Sequence, residues 1–546
     1  MLKETYKTND SYGHKKYSEN QINNHINKLD ITFSDNHLYQ NGSSDKIIQQ
    51  KDAPRSFFQY RYLVALLQFF GYFEINAFRL VTSISVVAMV NNTAVDSHKT
   101  SNVSVLSCPF NVSNSGENLP QNSGEFDWSP AVQGYILGAG FLGYVVTQMP
   151  GGMLAESYGA KFTVLFGIFL SSLGHILSPF AARSSSYLLI AMQLLRGLGQ
   201  GLISPAQCVI AANWFPSNER GLLNPLIMSG YSVGSLVGGF SSGAMCSSSF
   251  LGGWPSVYYV YGALGLLLCL CVQLFMYESP KCHPNIKDSE LNYILQNQES
   301  DLSQKRPPTP WRKIFSSVPF YAVSYAIFSA FWTGSHFLAV QPIFLGTMLH
   351  FSIKENGILT SLPFAFQVAL TFIGSCTTKW LNSNNYVGVD KLRKGFNFLY
   401  CLGYSLCLLG VIYSGCERML STVLSVAAMS FIGFSFNGCM ITPVDMSPTF
   451  AGTLMGLSNT ISSVAAFVFP VIVGIMTNEE QTLGQWNKIF VMCIGITMTS
   501  GILFCIFGSA DVQPWNFSSE EDSDKTRSNN KELGEIGQPA DVVIHL

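Results

Sequence analysis

The sequence predicts an all-α membrane protein whose twelve spanning helices form two halves of six. Three observations predict it. Only 12% of the 546 residues are charged and 48% are hydrophobic, where a soluble chain carries roughly 25% charge. Apolar runs long enough to cross a bilayer, about 20 residues per helix, recur from residue 57 onwards. A long polar stretch after the sixth run divides the runs six and six. Mean hydropathy is +0.25, so lipid rather than water faces most of the chain.

Residues 1–54 are polar, asparagine-rich and aperiodic, and are expected as a disordered tail. The first half is expected over 55–276, with spans at about 57–90, 130–150, 162–182, 187–212, 222–245 and 257–276. Between its first two spans, residues 91–129 hold three N-x-S/T sequons, at Asn91, Asn102 and Asn111. Sequons so dense in one loop read as glycosylation sites on a lumenal or extracellular face. Both termini then fall in the cytoplasm, and the sequons at Asn9, Asn41 and Asn516 fall on the wrong side for use.

A short charged loop, Gly151–Lys161 (GGMLAESYGAK), is expected between spans 2 and 3. A second, Trp214–Gly221 (WFPSNERG), joins spans 4 and 5. Residues 277–316 form a cytoplasmic linker of mixed charge with Pro307, Pro308 and Pro310. The second half is expected over 317–509, with spans at about 318–349, 357–378, 396–414, 420–443, 452–476 and 489–509. An acidic tail, 510–546, follows and is expected to be disordered. Lys379, Lys391, Arg393 and Lys394 on one side, and Asp96, Glu117, Glu125 and Asp127 in the sequon loop, follow the positive-inside rule.

Composition also excludes. A net charge of −2 gives no basic bias towards nucleic acid. The thirteen cysteines show no CxxC or Cys/His metal spacing. Cys108 and Cys246 both fall on the sequon side and are a candidate disulfide. No nucleophile–base or metal constellation appears, so an enzyme is not expected. Two six-span halves joined by a polar linker point to a transporter built from repeated halves, with its site near mid-membrane between them.

Particular residues carry a family resemblance. Gly152-Met-Leu-Ala-Glu156-Ser-Tyr-Gly159-Ala-Lys161 resembles the loop 2–3 signature of the major facilitator superfamily, with Glu156 where Asp is usual. The match narrows in Phe126-Asp-Trp-Ser-Pro130, Thr147-Gln-Met-Pro-Gly-Gly152, Gly197-Leu-Gly-Gln-Gly201, Trp214-Phe-Pro216, Tyr277-Glu-Ser-Pro280, Asp445-Met-Ser-Pro448 and Gln513-Pro-Trp515. These look like the anion/cation symporter family, which includes sialin, the vesicular glutamate and nucleotide transporters and the type I phosphate transporters. The resemblance covers roughly residues 57–516. It implies the major facilitator fold, twelve helices in two six-helix bundles, and ion-coupled alternating access for a small anion. It also implies a cytoplasmic latch of Gly152, Glu156, Gly159, Lys161, Glu219 and Arg220, with Arg220 as the partner of Glu156. Asp445 is the approximate second-half counterpart of Glu219.

Charges inside the spans are the candidate site, because each costs several kcal/mol unless paired or hydrated. Arg79 in span 1 aligns with the family arginine that holds the anionic group, and a guanidinium forks onto carboxylate or phosphate. Span 4 departs from the family pattern. It reads Gln193-Leu-Leu-Arg196-Gly-Leu-Gly-Gln200, with arginine and glutamine exchanged across three residues that share one broad helix face. Arg196 is therefore a second anion-binding candidate, with Gln193 and Gln200 as neutral hydrogen-bonding groups. Gln200 stands where sialin-like and glutamate-transporting members have an acid linked to proton coupling, which favours the phosphate-transporter-like branch, whose members also take urate and other organic anions. Glu74 in span 1 is either a salt-bridge partner of Arg196 or a coupling acid. His336 in span 7 is a coupling candidate or a packing residue, as is His175 in span 3. Trp332 is a candidate cavity wall or packing aromatic. The coupling ion is expected to be a proton or sodium, with no other cofactor. The partners expected are a small anionic substrate and the lipid bilayer, around a monomer. The membrane expected is a plasma, lysosomal or vesicular one. The alternative is a transport-inactive member that acts as a membrane receptor or scaffold through its long tails.

Overall fold

The computed structural model describes residues 59–91, 124–297, 309–384, 386–447, 449–479 and 481–516. All spans are helical. The first half comprises α1 (Tyr60–Met89), α2 (Pro130–Tyr158), α3 (Ala160–Ser184), α4 (Ser186–Trp214), the broken pair α5 (Ser217–Met228) and α6 (Gly230–Cys246), and α7 (Trp254–Phe275). The linker holds α8 (Asp288–Gln296) and α9 (Trp311–Phe315). In the second half, α10 (Val318–Ser335) and α11 (Gln341–Thr347) flank a π-helical turn at His336–Val340. Then come α12 (Ile353–Ser383), α13 (Val389–Ser414), α14 (Arg418–Phe431), α15 (Thr442–Met446), α16 (Ala451–Glu479) and α17 (Leu483–Phe507). Among the described residues, nine helical stretches are long and apolar enough to cross a membrane. The other three spans are α2, α4 and the α5–α6 pair. Glycine dilutes the hydropathy of α2, Arg196 and the glutamines lower that of α4, and the break shortens each piece of the pair.

Local chemistry accounts for the ends. The side chain of Ser129 accepts from the Val132 N–H, and Pro130 sits where helices tolerate proline, at the first position of α2. Ser352 and Glu355 form a reciprocal capping box at the start of α12. Pro342 cannot donate to the carbonyl one turn back, and the π turn before it absorbs that missing bond.

The charged loop expected at Gly151–Lys161 is almost wholly helical. α2 runs through it to Tyr158, and only Gly159, at φ 109°, breaks the path before α3 begins. Such a φ favours glycine. Apolarity marks where a helix leaves the bilayer, not where it ends. The NERG stretch is likewise the first turn of α5. The linker is not bare chain either, since α8 docks on α1. The tail expected to be disordered from residue 510 first packs on the second half. The Ala510 N–H donates to Asp390 (2.8 Å) and Asn516 Oδ1 accepts from Ser447 Oγ (2.6 Å) and the Thr449 N–H (3.1 Å).

The halves meet where α2 packs on α16 and α6 on α12. The close approaches sit at the sequon-loop ends of these helices. A Cβ built on Gly357 would lie 2.6 Å from the Gly243 Cα, and one on Gly134 would lie 2.6 Å from the Pro470 carbonyl oxygen. Ser83 Oγ donates to the Ala339 carbonyl across the same end (2.8 Å). At the linker end, no ion pair among the described residues joins the two halves. Arg61 meets Glu219 and Glu290, and Arg393 meets Asp445. The halves are therefore zipped together at the sequon end.

Candidate functional site

The first half gathers its buried charges where α1, α2, α3 and α4 converge. The glycines of α4 make this possible. Gly197 rests against the backbone of Gly140 and Gly199 against Gly167, contacts that exclude any side chain. These contacts hold α4 against α2 and α3, and Arg79 of α1 reaches Gln200 of α4 through its side chain.

Arg79 is half-buried. Its guanidinium lies over the rings of Phe141 (4.9 Å) and Tyr144 (4.6 Å), and Nε donates to Gln200 Oε1 (3.3 Å). Gln200 is held in turn, because its Nε2 donates to the Ile75 carbonyl (3.2 Å). Among the described residues, Arg79 Nη2 has no hydrogen-bond partner. The aromatic faces and the fixed amide orient the arginine while leaving donors for a further group.

Arg196 is sealed inside the half at 2% exposure. Its guanidinium lies against Gly140, where a Cβ would leave it no room. Its Nε and Nη1 lack hydrogen-bond partners among the described residues. Glu74, 3% exposed, accepts from Ser171 Oγ on α3 and feels the charge of both Arg196 and Arg79. The three ionisable groups are thus two guanidiniums and one carboxylate.

The structure therefore brings Arg79, Gln200, Glu74 and Arg196 into one cluster. Gln193 faces away from it. Its Nε2 donates to Ser178 Oγ (3.0 Å) and its Oε1 accepts from Thr82 Oγ1 (3.5 Å). Trp332 and His336 lie in the other half. Trp332 packs on Phe469 at 4.9 Å and is 3% exposed. His336 Nδ1 is 3.1 Å from the Tyr404 hydroxyl, and its ring is walled by Phe469 and Phe490. His175 stacks on Phe78 at 4.1 Å.

The linker end has its own geometry. The side chains of Glu156 and Arg220 lie outside the described residues, so their pairing does too. Glu219 instead pairs with Arg61. The aligned bond runs from Nη2 to Oε1 (3.0 Å), and Nε lies 2.9 Å from Oε2 without hydrogen-bond alignment. The Tyr293 hydroxyl also donates to Glu219 (3.0 Å). Glu290 of α8 accepts from the N–H groups of Tyr60 (3.2 Å) and Arg61 (3.1 Å), which caps the start of α1. Glu278 does the same for α3, accepting from the N–H groups of Ala160 and Lys161 beside Gly159. Lys161 Nζ donates to the Gln273 carbonyl (3.0 Å). Gly152 faces Pro205 of α4. Asp445 accepts from Arg393 Nε (2.8 Å).

Sequence reasoning missed Arg61, Glu278 and Glu290. Arg61 sits at the edge of the first apolar run, where a base reads as an ordinary interfacial flank, yet it is fully buried. The signal for Glu290 was the short apolar period Leu291, Tyr293, Ile294 within the linker. At the sequon end, Asn91 lies two residues beyond the end of α1, while Asn102 and Asn111 lie outside the described residues. Cys246 carries a free thiol, 4.0 Å from Ser85 Oγ, so its expected pairing with Cys108 is not made. Cys416 is a disulfide-bonded cysteine. Among the described residues, no group of three or more His, Cys, Asp or Glu side chains is placed to hold a metal ion.

Comparison with known proteins bears on this geometry. The Major Facilitator Superfamily model matches residues 102–470. A putative inorganic phosphate cotransporter of Drosophila melanogaster is 31% identical over 478 residues, covering 86% of this chain and 89% of the relative. Sialin of Homo sapiens is 30% identical, covering 83% and 90%. Sodium-dependent phosphate transport protein 1 of Mus musculus is 31% identical, covering 84% and 96%. Among solved structures, a D-xylose-proton symporter superposes with a TM-score of 0.63 at 13% identity, covering 83% of this chain and all of that one. That likeness shows the fold. The chain belongs to the major facilitator superfamily, within the anion/cation symporter family.

Proposed function

We propose that this protein is a secondary-active transporter of small organic or inorganic anions, ion-coupled and working by alternating access between its two bundles. One observation carries the reading. The buried cluster holds two guanidiniums against one carboxylate, and a positive surplus inside a membrane calls for an anion. Arg79 is the half-buried member with an unpartnered donor, so it takes the carboxylate or phosphate group. Gln200 sets its orientation. Arg196 acts from behind as a fixed positive charge. Glu74 is the coupling acid favoured by its burial near both arginines, and His336 is its second-half counterpart candidate. A neutral Gln200 favours the phosphate-transporter-like branch. The coupling ion is a proton or sodium. Both termini are cytoplasmic, so the closed sequon end is the one facing away from the cytoplasm. The protein works as a monomer in the plasma membrane or a lysosomal or vesicular membrane.

Counterflow in proteoliposomes tests this, with labelled phosphate and a panel of carboxylates under separate pH and sodium gradients. Arg79→Gln removes a charged hydrogen-bonding partner worth about 2 kcal/mol or more, so apparent affinity should fall roughly 30-fold or more. Arg79→Lys should recover part of it, since the charge returns without the fork. Unchanged flux in a folded Arg79→Gln protein removes the site. No flux of any anion in the wild type favours the receptor or scaffold reading.

A further inference from the structure

We propose that a groove between α12 and α14, at the sequon end, binds an anionic phospholipid, with one acyl chain in the groove and its phosphate on Arg418. The groove has a volume of about 350 Å³, within the range of small-molecule sites. Phe351, Leu359, Leu362, Phe366, Met419 and Val423 line it. Its one polar wall, Thr422, has its hydroxyl satisfied by the Arg418 carbonyl (2.7 Å). The lining therefore offers carbon only, and a small hydrophilic anion finds no donor along it.

The groove opens outward. Gly357 and Ser361 of α12 face α6 of the other half, and Leu359, Leu362 and Phe366 lie on the opposite side of the helix. The halves are in contact at this depth, so these side chains look out at the bilayer. Met419 is 75% exposed, Val423 60% and Phe366 48%.

The mouth of the groove carries the charge. Arg418 is the first residue of α14, at the end of a membrane span. Its guanidinium lies 4.3 Å from the centre of the Phe351 ring, and its Nη2 donates to the His350 carbonyl (3.1 Å). These contacts fix a normally mobile side chain above the slot. The bond to His350 uses only part of a five-donor fork, and that fork matches a phosphate. An apolar slot ending in an oriented guanidinium at interfacial depth has the polarity of a phospholipid, with tail inward and anionic head at the boundary. A sterol would fill the slot and leave the arginine unanswered.

Native mass spectrometry of the full-length protein in mild detergent tests this, titrating phosphatidylglycerol against phosphatidylcholine of the same chain length. The wild type should retain phosphatidylglycerol in preference by roughly tenfold, the worth of one charge-assisted contact. Arg418→Gln should erase the preference, lowering retention of phosphatidylglycerol more than that of phosphatidylcholine, whose phosphate already has the choline as a counter-charge. Val423→Trp should fill the groove and lower retention of both lipids. Leu362→Trp repeats that test from the facing helix, and melting temperature checks that each variant folds. A retained preference in Arg418→Gln, full lipid retention in both tryptophan variants, or displacement by cholesterol as effective as by phosphatidylglycerol overturns the proposal.

Discussion

Closure at the sequon end rests on glycine meeting glycine across the two halves. Gly357→Val probes this directly. A Cβ at 357 would lie 2.6 Å from the Gly243 Cα and 2.7 Å from the Gly239 carbonyl oxygen. Both are backbone atoms, so no side chain can swing aside. Overpacking of this kind costs about 1–3 kcal/mol. Only the state in which α6 and α12 touch carries that cost. The equilibrium between the two access states should therefore shift by roughly 5- to 150-fold towards sequon-end opening. Cys246, at the end of α6 and half-buried, supplies the readout. In a background where it is the sole cysteine, maleimide labelling from the sequon side should accelerate by that factor until the open state dominates. Counterflow should slow. Gly495→Val is the control, since a Cβ there meets nothing within 4 Å. A folded Gly357→Val protein with wild-type labelling and wild-type flux would refute the reasoning.

Two further outcomes are expected at the linker end. Arg61→Met leaves Glu290, with a 4% exposed side chain, buried without its counter-charge. Losing one partner of a buried pair costs about 3–5 kcal/mol, so thermal unfolding should come earlier and α8 should exchange its amide hydrogens faster. Equal exchange in wild type and variant would show that α8 docks without the ion pair. His283 packs on Tyr60 and Tyr277, and its Nδ1 accepts from the Asn285 N–H (3.1 Å), a bond that needs the neutral ring. Burial lowers its pKa below the ordinary 6.5. The unfolded segment then binds the proton more readily than the folded one, so its contribution is whole above pH about 6.5 and declines as pH falls below it. Hydrogen exchange over residues 280–296 should rise on acidification in the wild type and lose that dependence in His283→Phe.

Glu74 and Arg79 were legible as site candidates because a charge inside a span stands out in one dimension. Gln200 was legible as a departure from a pattern, and it is the group that orients Arg79. Arg196 was legible as a buried charge but not as a sealed one, because its burial depends on Gly140 of another helix. Arg61 was invisible for the converse reason. It sits at a run boundary where bases are ordinary, and only the docking of α8 and α5 around it removes it from water.

The sequence by itself determined the medium, the number of spans, the division into halves and the family. These follow from apolar run length and from motifs read along the chain. The tertiary structure decided which end is closed, which of two arginines is half-buried and which is sealed, and which acids answer Arg61. Those properties belong to residues brought together from separate helices. Close packing between helices sets them, and periodicity along one helix carries no trace of the neighbour it will meet.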